Sequence, residues 1–120
     1  MGHGVKLNTM AEKMELKNLT PMVDLVNKEI LVPDINRPAL QLTGYFVHFD
    51  EERVQIIGYV EYTYLEQLEK ARKLEIYTEL LSHKIPCIVY SRELQPEPEL
   101  LELATGRDIP VLQTASPTSA

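Results

Sequence analysis

Hydrophobic and polar residues follow one another along the chain in blocks that predict alternating strands and helices. Residues 86–90 (PCIVY) form a short apolar run rich in β-branched side chains, which is typical of a strand covered on both faces. From Tyr64 to Ser82 the apolar residues recur at three-and-four spacing, the stripe of an amphipathic helix. Because charged residues interrupt the stripe at 69–73, two shorter helices are an alternative to one long helix.

Shorter patterns supply the remaining elements. They predict strands over 28–32, 53–57 and 109–112, and helices over 9–15 and 98–104. Thr9 and Glu12 have the spacing of a capping box, and Pro38 suits a first helical turn that Gly44 ends. Alternation of strand and helix over 53–112 predicts an α/β fold, a small three-layer domain whose mostly parallel sheet is flanked by helices.

Charge and length narrow the classes of function. The 120 residues carry 12 Lys and Arg against 18 Asp and Glu, a net charge of −6, and this length suits one domain. An acidic chain has no general attraction to phosphate backbones or anionic lipid, so we expect neither nucleic acid nor membrane as a partner. No apolar run approaches the roughly 20 residues of a membrane span. A single cysteine, Cys87, fits a reducing compartment, so the predicted location is cytoplasmic.

Composition also divides the chain. Residues 1–4 read as a flexible N-terminus or the remnant of a tag, and residues 5–113 as the α/β domain. Residues 114–120 are small, hydroxylated and proline-containing, which is typical of a linker.

Most familiar chemical motifs are missing from the sequence. None of the five glycines belongs to a GxxxxGK(S/T) or GxGxxG loop after a strand, so we expect no phosphoryl transfer from a nucleotide. His3, His48 and His83 lack metal-ligand spacing, and no metal site is predicted. His48, between two phenylalanines, is interpreted as a packed or half-exposed imidazole rather than a metal ligand, and Cys87 as a core residue. A hydrolase that uses His48 with the carboxylates of 50–52 is the least favoured class.

Two polar segments are candidate binding sites. Asn36 and Arg37 lie in a proline-bracketed loop, and Ser91 and Arg92 directly follow the strand at 86–90. Ligands of α/β sheets collect at the carboxyl ends of strands, where both arginines could clamp an anion. The alternative is that Asn36 caps the next helix and that the arginines make surface or interdomain pairs.

Five segments, in order and spacing, carry a resemblance to a known family. They are 34–46 (DINRPALQLTGYF); 53–58 (RVQIIG) with Glu61, Tyr64 and Leu65; 86–92 (PCIVYSR); 98–104 (PELLELA); and 109–114 (IPVLQT) with Ser116, Thr118 and Ser119. They resemble, respectively, the stretches INRPGLxLxGFF, RIQVxGxxExxYL, PCIIVSR, PxELLELA and IPLLRTxxSTS of the N-terminal domain of bacterial HPr kinase/phosphorylase.

The resemblance implies a bacterial, cytoplasmic parent more than twice this length that regulates carbon use. Such enzymes phosphorylate a serine of HPr, the phosphocarrier of the sugar phosphotransferase system, with ATP or pyrophosphate and magnesium. They also remove that phosphate, and their homohexamers form through the kinase domain. Their P-loop and acid–base residues belong to this C-terminal kinase domain. None has a matching position here, so no catalytic residue and no cofactor is assigned to this chain.

The resemblance therefore implies a regulatory or interaction domain that is not catalytic alone. Its expected partners are the C-terminal kinase domain, toward which 114–120 would lead, and HPr. It is either a piece of a longer protein or a stand-alone homologue, and a sensor domain for a small anionic metabolite is the alternative function. Ala39 and Glu93 stand where the family often has glycine, which predicts that neither position needs a positive φ and weakens a ligand site there.

Overall fold

A mostly parallel sheet forms the middle layer of the computed structural model, which describes residues 4–32 and 34–116. The strands are β1 (Val5–Lys6), β2 (Lys17–Asn18), β3 (Glu29–Ile30), β4 (Ile35–Asn36), β5 (Val54–Ile57), β6 (Ile88–Tyr90) and β7 (Val111–Gln113). The helices are α1 (Leu7–Lys13), α2 (Tyr59–Glu66), α3 (Lys70–Leu81) and α4 (Pro98–Gly106), with a 3₁₀ turn at Gln41–Thr43.

Five of the strands form the main sheet, in the order β2-β7-β6-β5-β4. Strands β4 to β7 are parallel to one another, and β2 pairs antiparallel with β7 at one edge. The other two strands, β1 and β3, form a separate antiparallel ribbon. This arrangement confirms the predicted three-layer α/β fold. The strand predicted over 28–32 forms only as β3, outside the main sheet.

Side chains of the central strand alternate between the two faces of the sheet. Ile88 and Tyr90 of β6 join the larger core beneath α2, α3 and α4. Val89 and Cys87 belong to the smaller core on the opposite face, together with Leu7 of α1. Cys87 is fully buried in this core, which confirms the prediction of a packed core residue. The burial raises the pKa of its thiol to about 12.

Helix boundaries agree with the sequence pattern except where capping decides them. The interrupted stripe forms two helices, but α2 begins at Tyr59, before the predicted start at 64. The predicted capping box at Thr9 is wrong, because α1 already begins at Leu7 and no side chain caps it. Gly44 ends the 3₁₀ turn with φ +100°, as predicted, and a Cβ there would lie 2.6 Å from Arg72 Nη2.

An aromatic cluster holds the loop before β5 against the end of α3. His83 stacks on Phe46 with ring centroids 5.2 Å apart and meets Phe49 edge-on at 4.9 Å. Its Nδ1 lies 2.9 Å from Glu51 Oε1. His48 is exposed, so it does not take the packed position considered for it. The imidazole that packs against the two phenylalanines is supplied from a distant part of the sequence.

The ends of the chain are described only in part. The flexible start predicted for 1–4 and the linker predicted for 114–120 fall partly on 1–3 and 117–120, outside the described residues. Within the described part, the Thr114 N–H donates to the Tyr90 carbonyl at 2.9 Å, which continues the ladder beyond β7. None of the helices within 4–32 and 34–116 has the length and apolar content to span a bilayer.

Candidate functional site

The predicted binding residues lie along the carboxyl ends of the parallel strands. Asn36 ends β4 and Arg37 follows it, while Ser91 and Arg92 follow β6. Strand β5 separates the two pairs, and two strand spacings amount to about 10 Å. The structure thus places all four residues at the carboxyl end of the sheet, but in two groups with different surroundings.

The first group is organised by a buried carboxylate. Glu61, in the first turn of α2, is only 4% exposed. Its Oε1 accepts the Gly58 N–H at 2.7 Å and lies 2.9 Å from Arg37 Nη2. One oxygen therefore receives both the start of α2 and the guanidinium that follows β4, which satisfies a charge that would otherwise be costly to bury.

This carboxylate occupies the position that a bound anion takes in many α/β proteins. In phosphate-binding folds the anion sits at the amino end of a helix that follows a strand, where N–H groups and the helix dipole favour negative charge. Here β5 leads through Gly58 into α2, and the Glu61 carboxylate lies at that end. The chain supplies its own anion, so Arg37 and the α2 terminus are already neutralised.

The nucleotide and magnesium implied by the family resemblance do not fit the carboxyl end of this sheet. Glu61 would place a negative charge beside a phosphate, which is repulsive. Within 4–32 and 34–116 there is also no group of three or more His, Cys, Asp or Glu placed to hold a metal ion.

Asn36 takes part in a second polar contact, partly buried, between β4 and β5. Its Nδ2 donates to Gln55 Oε1 at 2.7 Å. The Gln55 amide in turn donates to the carbonyls of Asp50 at 3.0 Å and Arg53 at 2.8 Å. The idea that Asn36 caps the next helix is therefore wrong, since its side chain joins β4 to β5. Arg37 makes an ion pair, but its partner is the buried Glu61 of the same domain rather than a surface or interdomain group.

The second group forms a bend directly after β6. The buried Ser91 donates its N–H to the Ile57 carbonyl at 3.1 Å, and its hydroxyl lies 3.4 Å from the same oxygen. Arg92 and Glu93 both have positive φ, +53° and +56°. Their N–H groups donate to the carbonyls of Ser116 at 3.0 Å and Thr114 at 2.8 Å.

The prediction that position 93 needs no positive φ is wrong, whereas that for Ala39 is confirmed. The carbonyls of residues 114 and 116 fix the bend despite its steric cost for non-glycine residues. Of the four candidate residues, Arg92 is the one whose side chain makes no hydrogen bond or ion pair within the described part of the chain, and it is exposed. A role in ligand binding stays a prediction for all four residues, Asn36, Arg37, Ser91 and Arg92.

The hydrogen-bonding roles of Glu61 and Gln55 were not predicted from the sequence. Glu61 stands three residues after Gly58, a capping-box spacing that begins with glycine, and this spacing was a usable signal. Gln55 sits in an apolar strand with no signal for its partners. The hydrolase alternative gains no support, because Glu51 pairs with His83 while His48 is exposed.

Comparison with known proteins identifies relatives of the whole chain. The profile of a family described as HPr Serine kinase N terminus matches residues 5–120. The chain is 45% identical over 116 residues to the HPr kinase/phosphorylase of Lachnoclostridium phytofermentans, covering 97% of this chain and 38% of that protein. It is 34% identical over 115 residues to the one from Streptococcus mutans, covering 96% and 37%. The chain thus spans less than two-fifths of the length of these relatives.

A solved structure shares the fold. It contains the CBS and DRTGG domains of the regulatory region of Clostridium perfringens pyrophosphatase, complexed with the activator diadenosine tetraphosphate. The TM-score is 0.65 at 18% sequence identity, and the match covers 95% of this chain and 43% of that one. At this identity the likeness concerns the fold alone.

Removal of the Glu61 carboxylate should loosen the start of α2. We expect Glu61→Ala to lower the free energy of unfolding by about 1–2 kcal/mol, because it leaves the Gly58 N–H without its cap and Arg37 without its partner. Urea unfolding followed by circular dichroism measures this. The matched control is Glu66→Ala on the exposed side of the same helix, which should change stability by less than about 0.5 kcal/mol. Equal effects of the two substitutions would contradict the assignment.

Proposed function

The chain belongs to the HPr serine kinase N-terminus family, and on that premise we propose that it is a non-catalytic regulatory and interaction domain of an HPr kinase/phosphorylase. The observation that carries the proposal is the family match over 5–120, which spans the described α/β domain. The contacts of Glu61 support the non-catalytic part, because this carboxylate already occupies the anion position at the start of α2.

The chemistry of the parent protein is assigned to the part of its length that this chain lacks. We propose that the parent is a cytoplasmic bacterial enzyme that phosphorylates and dephosphorylates a serine of HPr in carbon catabolite regulation. ATP or pyrophosphate with magnesium would bind in its C-terminal kinase domain. These 120 residues contain no P-loop sequence, which is consistent with that division of roles.

The proposed partners are the kinase domain of the same protein and HPr, within a homohexamer formed through the kinase domain. The face of α2 supports an interaction role. Because Glu61 turns inward, the apolar neighbours Tyr59 and Val60 turn outward and are 60% and 65% exposed. Tyr64 follows one turn later on the same side as Val60. An outward apolar helix face beside the sheet edge is a typical protein contact surface.

A sensor for an anionic metabolite is the less favoured function. This function requires Arg37 and Arg92 to bind one anion together. However, Arg37 pairs with Glu61, and strand β5 separates the two arginines. The shared fold with part of a pyrophosphatase regulatory region agrees with a regulatory module and says nothing about its ligand.

The isolated chain should be inactive as a kinase. With HPr, ATP and magnesium, we expect phosphoserine formation no higher than in a reaction without enzyme, because the chain has no P-loop. Gel separation of phosphorylated HPr measures the product, and the full-length L. phytofermentans relative serves as the active control. Turnover by the purified 120-residue chain would contradict the proposal.

A chimera tests the interaction surface. In it, this chain replaces the matched N-terminal part of the L. phytofermentans relative. We expect Val60→Asp to lower the melting temperature of the chimera, by about 2–4 °C for each kcal/mol of lost contact, and to leave the isolated chain unchanged because Val60 is exposed there.

The control is Val47→Asp, which adds the same charge at an exposed position in the loop before β5. It should change neither protein. If Val60→Asp and Val47→Asp act alike in the chimera, the α2 face is not the contact surface.

A further inference from the structure

Three tyrosines line a cavity of about 270 Å³ on the face of the sheet that α2, α3 and α4 cover. Tyr62 comes from α2, Tyr77 from α3, and Tyr90 from the end of β6, the central strand. Leu65 and Pro96 contribute apolar walls. This tyrosine cavity lies at the carboxyl end of β6, where α/β domains commonly bind ligands. None of the four predicted site residues lines it.

Among the three tyrosines, Tyr90 is the one whose hydroxyl binds no described protein group. Tyr62 donates its hydroxyl to the Gln95 carbonyl at 2.9 Å, and Tyr77 donates to Glu97 Oε1 at 2.9 Å. Tyr90 is only 2% exposed, yet its side chain has no hydrogen-bond partner among the described residues, and it lines the cavity. The Tyr90 hydroxyl is therefore free to donate and accept hydrogen bonds with a molecule that enters the cavity.

The charges around the cavity disfavour an anion. Lys73 Nζ lies 2.8 Å from Glu97 Oε1, so these two charges neutralise each other. Burial raises the pKa of Tyr77 and Tyr90, so their phenols stay neutral at physiological pH. The remaining charge on the lining is the carboxylate of the exposed Glu66. The cavity is therefore lined by hydroxyl groups and aromatic rings, with a negative charge at its exposed side.

We propose that the tyrosine cavity binds a small uncharged molecule with several hydroxyl groups, anchored by the Tyr90 hydroxyl. Such a molecule donates and accepts hydrogen bonds with the same group, as a phenol does, and its C–H surface packs on Tyr62. The volume lies just below the range of about 300–1,000 Å³ for drug-sized ligands, which sets the size to that of a monosaccharide or cyclitol. This binding goes beyond the proposed function and does not depend on it.

Titration of the ¹⁵N-labelled chain, followed by amide NMR, tests the proposal with probes matched in size. Myo-inositol and D-glucose are the uncharged probes, glucose 6-phosphate the anionic one and glucosamine the cationic one. We expect saturable shifts at Tyr62, Leu65 and Tyr90 with an uncharged probe, and at least tenfold weaker binding of the phosphate. No saturable shift with any probe means that the cavity holds water only, which would overturn the proposal. Tightest binding of the phosphate would also overturn it.

Three single substitutions locate the binding. Tyr90→Phe removes a hydroxyl that bonds to no described protein group, so the melting temperature should hold while affinity falls about tenfold, the loss expected for one hydrogen bond. Tyr45→Phe, an exposed tyrosine away from the cavity, should change neither quantity. Glu66→Gln should strengthen binding of glucose 6-phosphate. Unchanged affinity in Tyr90→Phe, or unchanged phosphate binding in Glu66→Gln, would contradict the assigned roles.

Discussion

The Glu61 carboxylate is the constraint on which the arrangement of this domain depends. Its oxygen binds the Gly58 N–H and the Arg37 guanidinium at once, so it joins the end of β5, the start of α2 and the segment that follows β4. Strand β4 is only two residues long and lies at the edge of the sheet. A strand that short has few ladder hydrogen bonds, and the side-chain contacts of Arg37 and Asn36 therefore hold it against its neighbour.

The same contact sets what the surface offers to other molecules. Because the carboxylate faces inward, the first turn of α2 presents Tyr59 and Val60 to solvent. Because it neutralises Arg37 and the α2 terminus, neither of these groups is free to hold a phosphate. Both facts are consistent with the non-catalytic role proposed above. The tyrosine cavity, with neutral phenols, then suits a ligand of different chemistry from the one first expected at Arg37 and Arg92.

Sequence periodicity predicted those parts of the fold where side-chain burial follows a simple repeat. Strand β6 is apolar on both faces and α3 carries a regular stripe, so both were found. The first turns of α2 were missed because Glu61 occupies a buried position and breaks the stripe there. Strand β4 was missed for a different reason, since two residues between prolines carry no periodic signal.

The site could be predicted only in its general position. The order of the strands implies that Arg37 and Arg92 both lie at the carboxyl end of the sheet. The partner of Arg37 depends instead on how α2 packs. The positive φ of Glu93 likewise depends on carbonyls more than twenty residues later, at Thr114 and Ser116. His83 replaced His48 in the aromatic cluster for the same reason, since residues distant in sequence supply the contacts.

A double-mutant cycle between Arg37 and Glu61 tests the central claim most directly. Arg37→Gln, Glu61→Gln and the double variant are unfolded in urea, and the coupling free energy is taken from the three changes in stability. A charge-assisted contact with one buried and one half-exposed partner predicts a coupling of about 1 kcal/mol. The exposed pair Arg72 and Glu75, 3.5 Å apart, is the control and should give at most about 0.5 kcal/mol. A coupling for Arg37 and Glu61 no larger than about 0.3 kcal/mol would contradict the account.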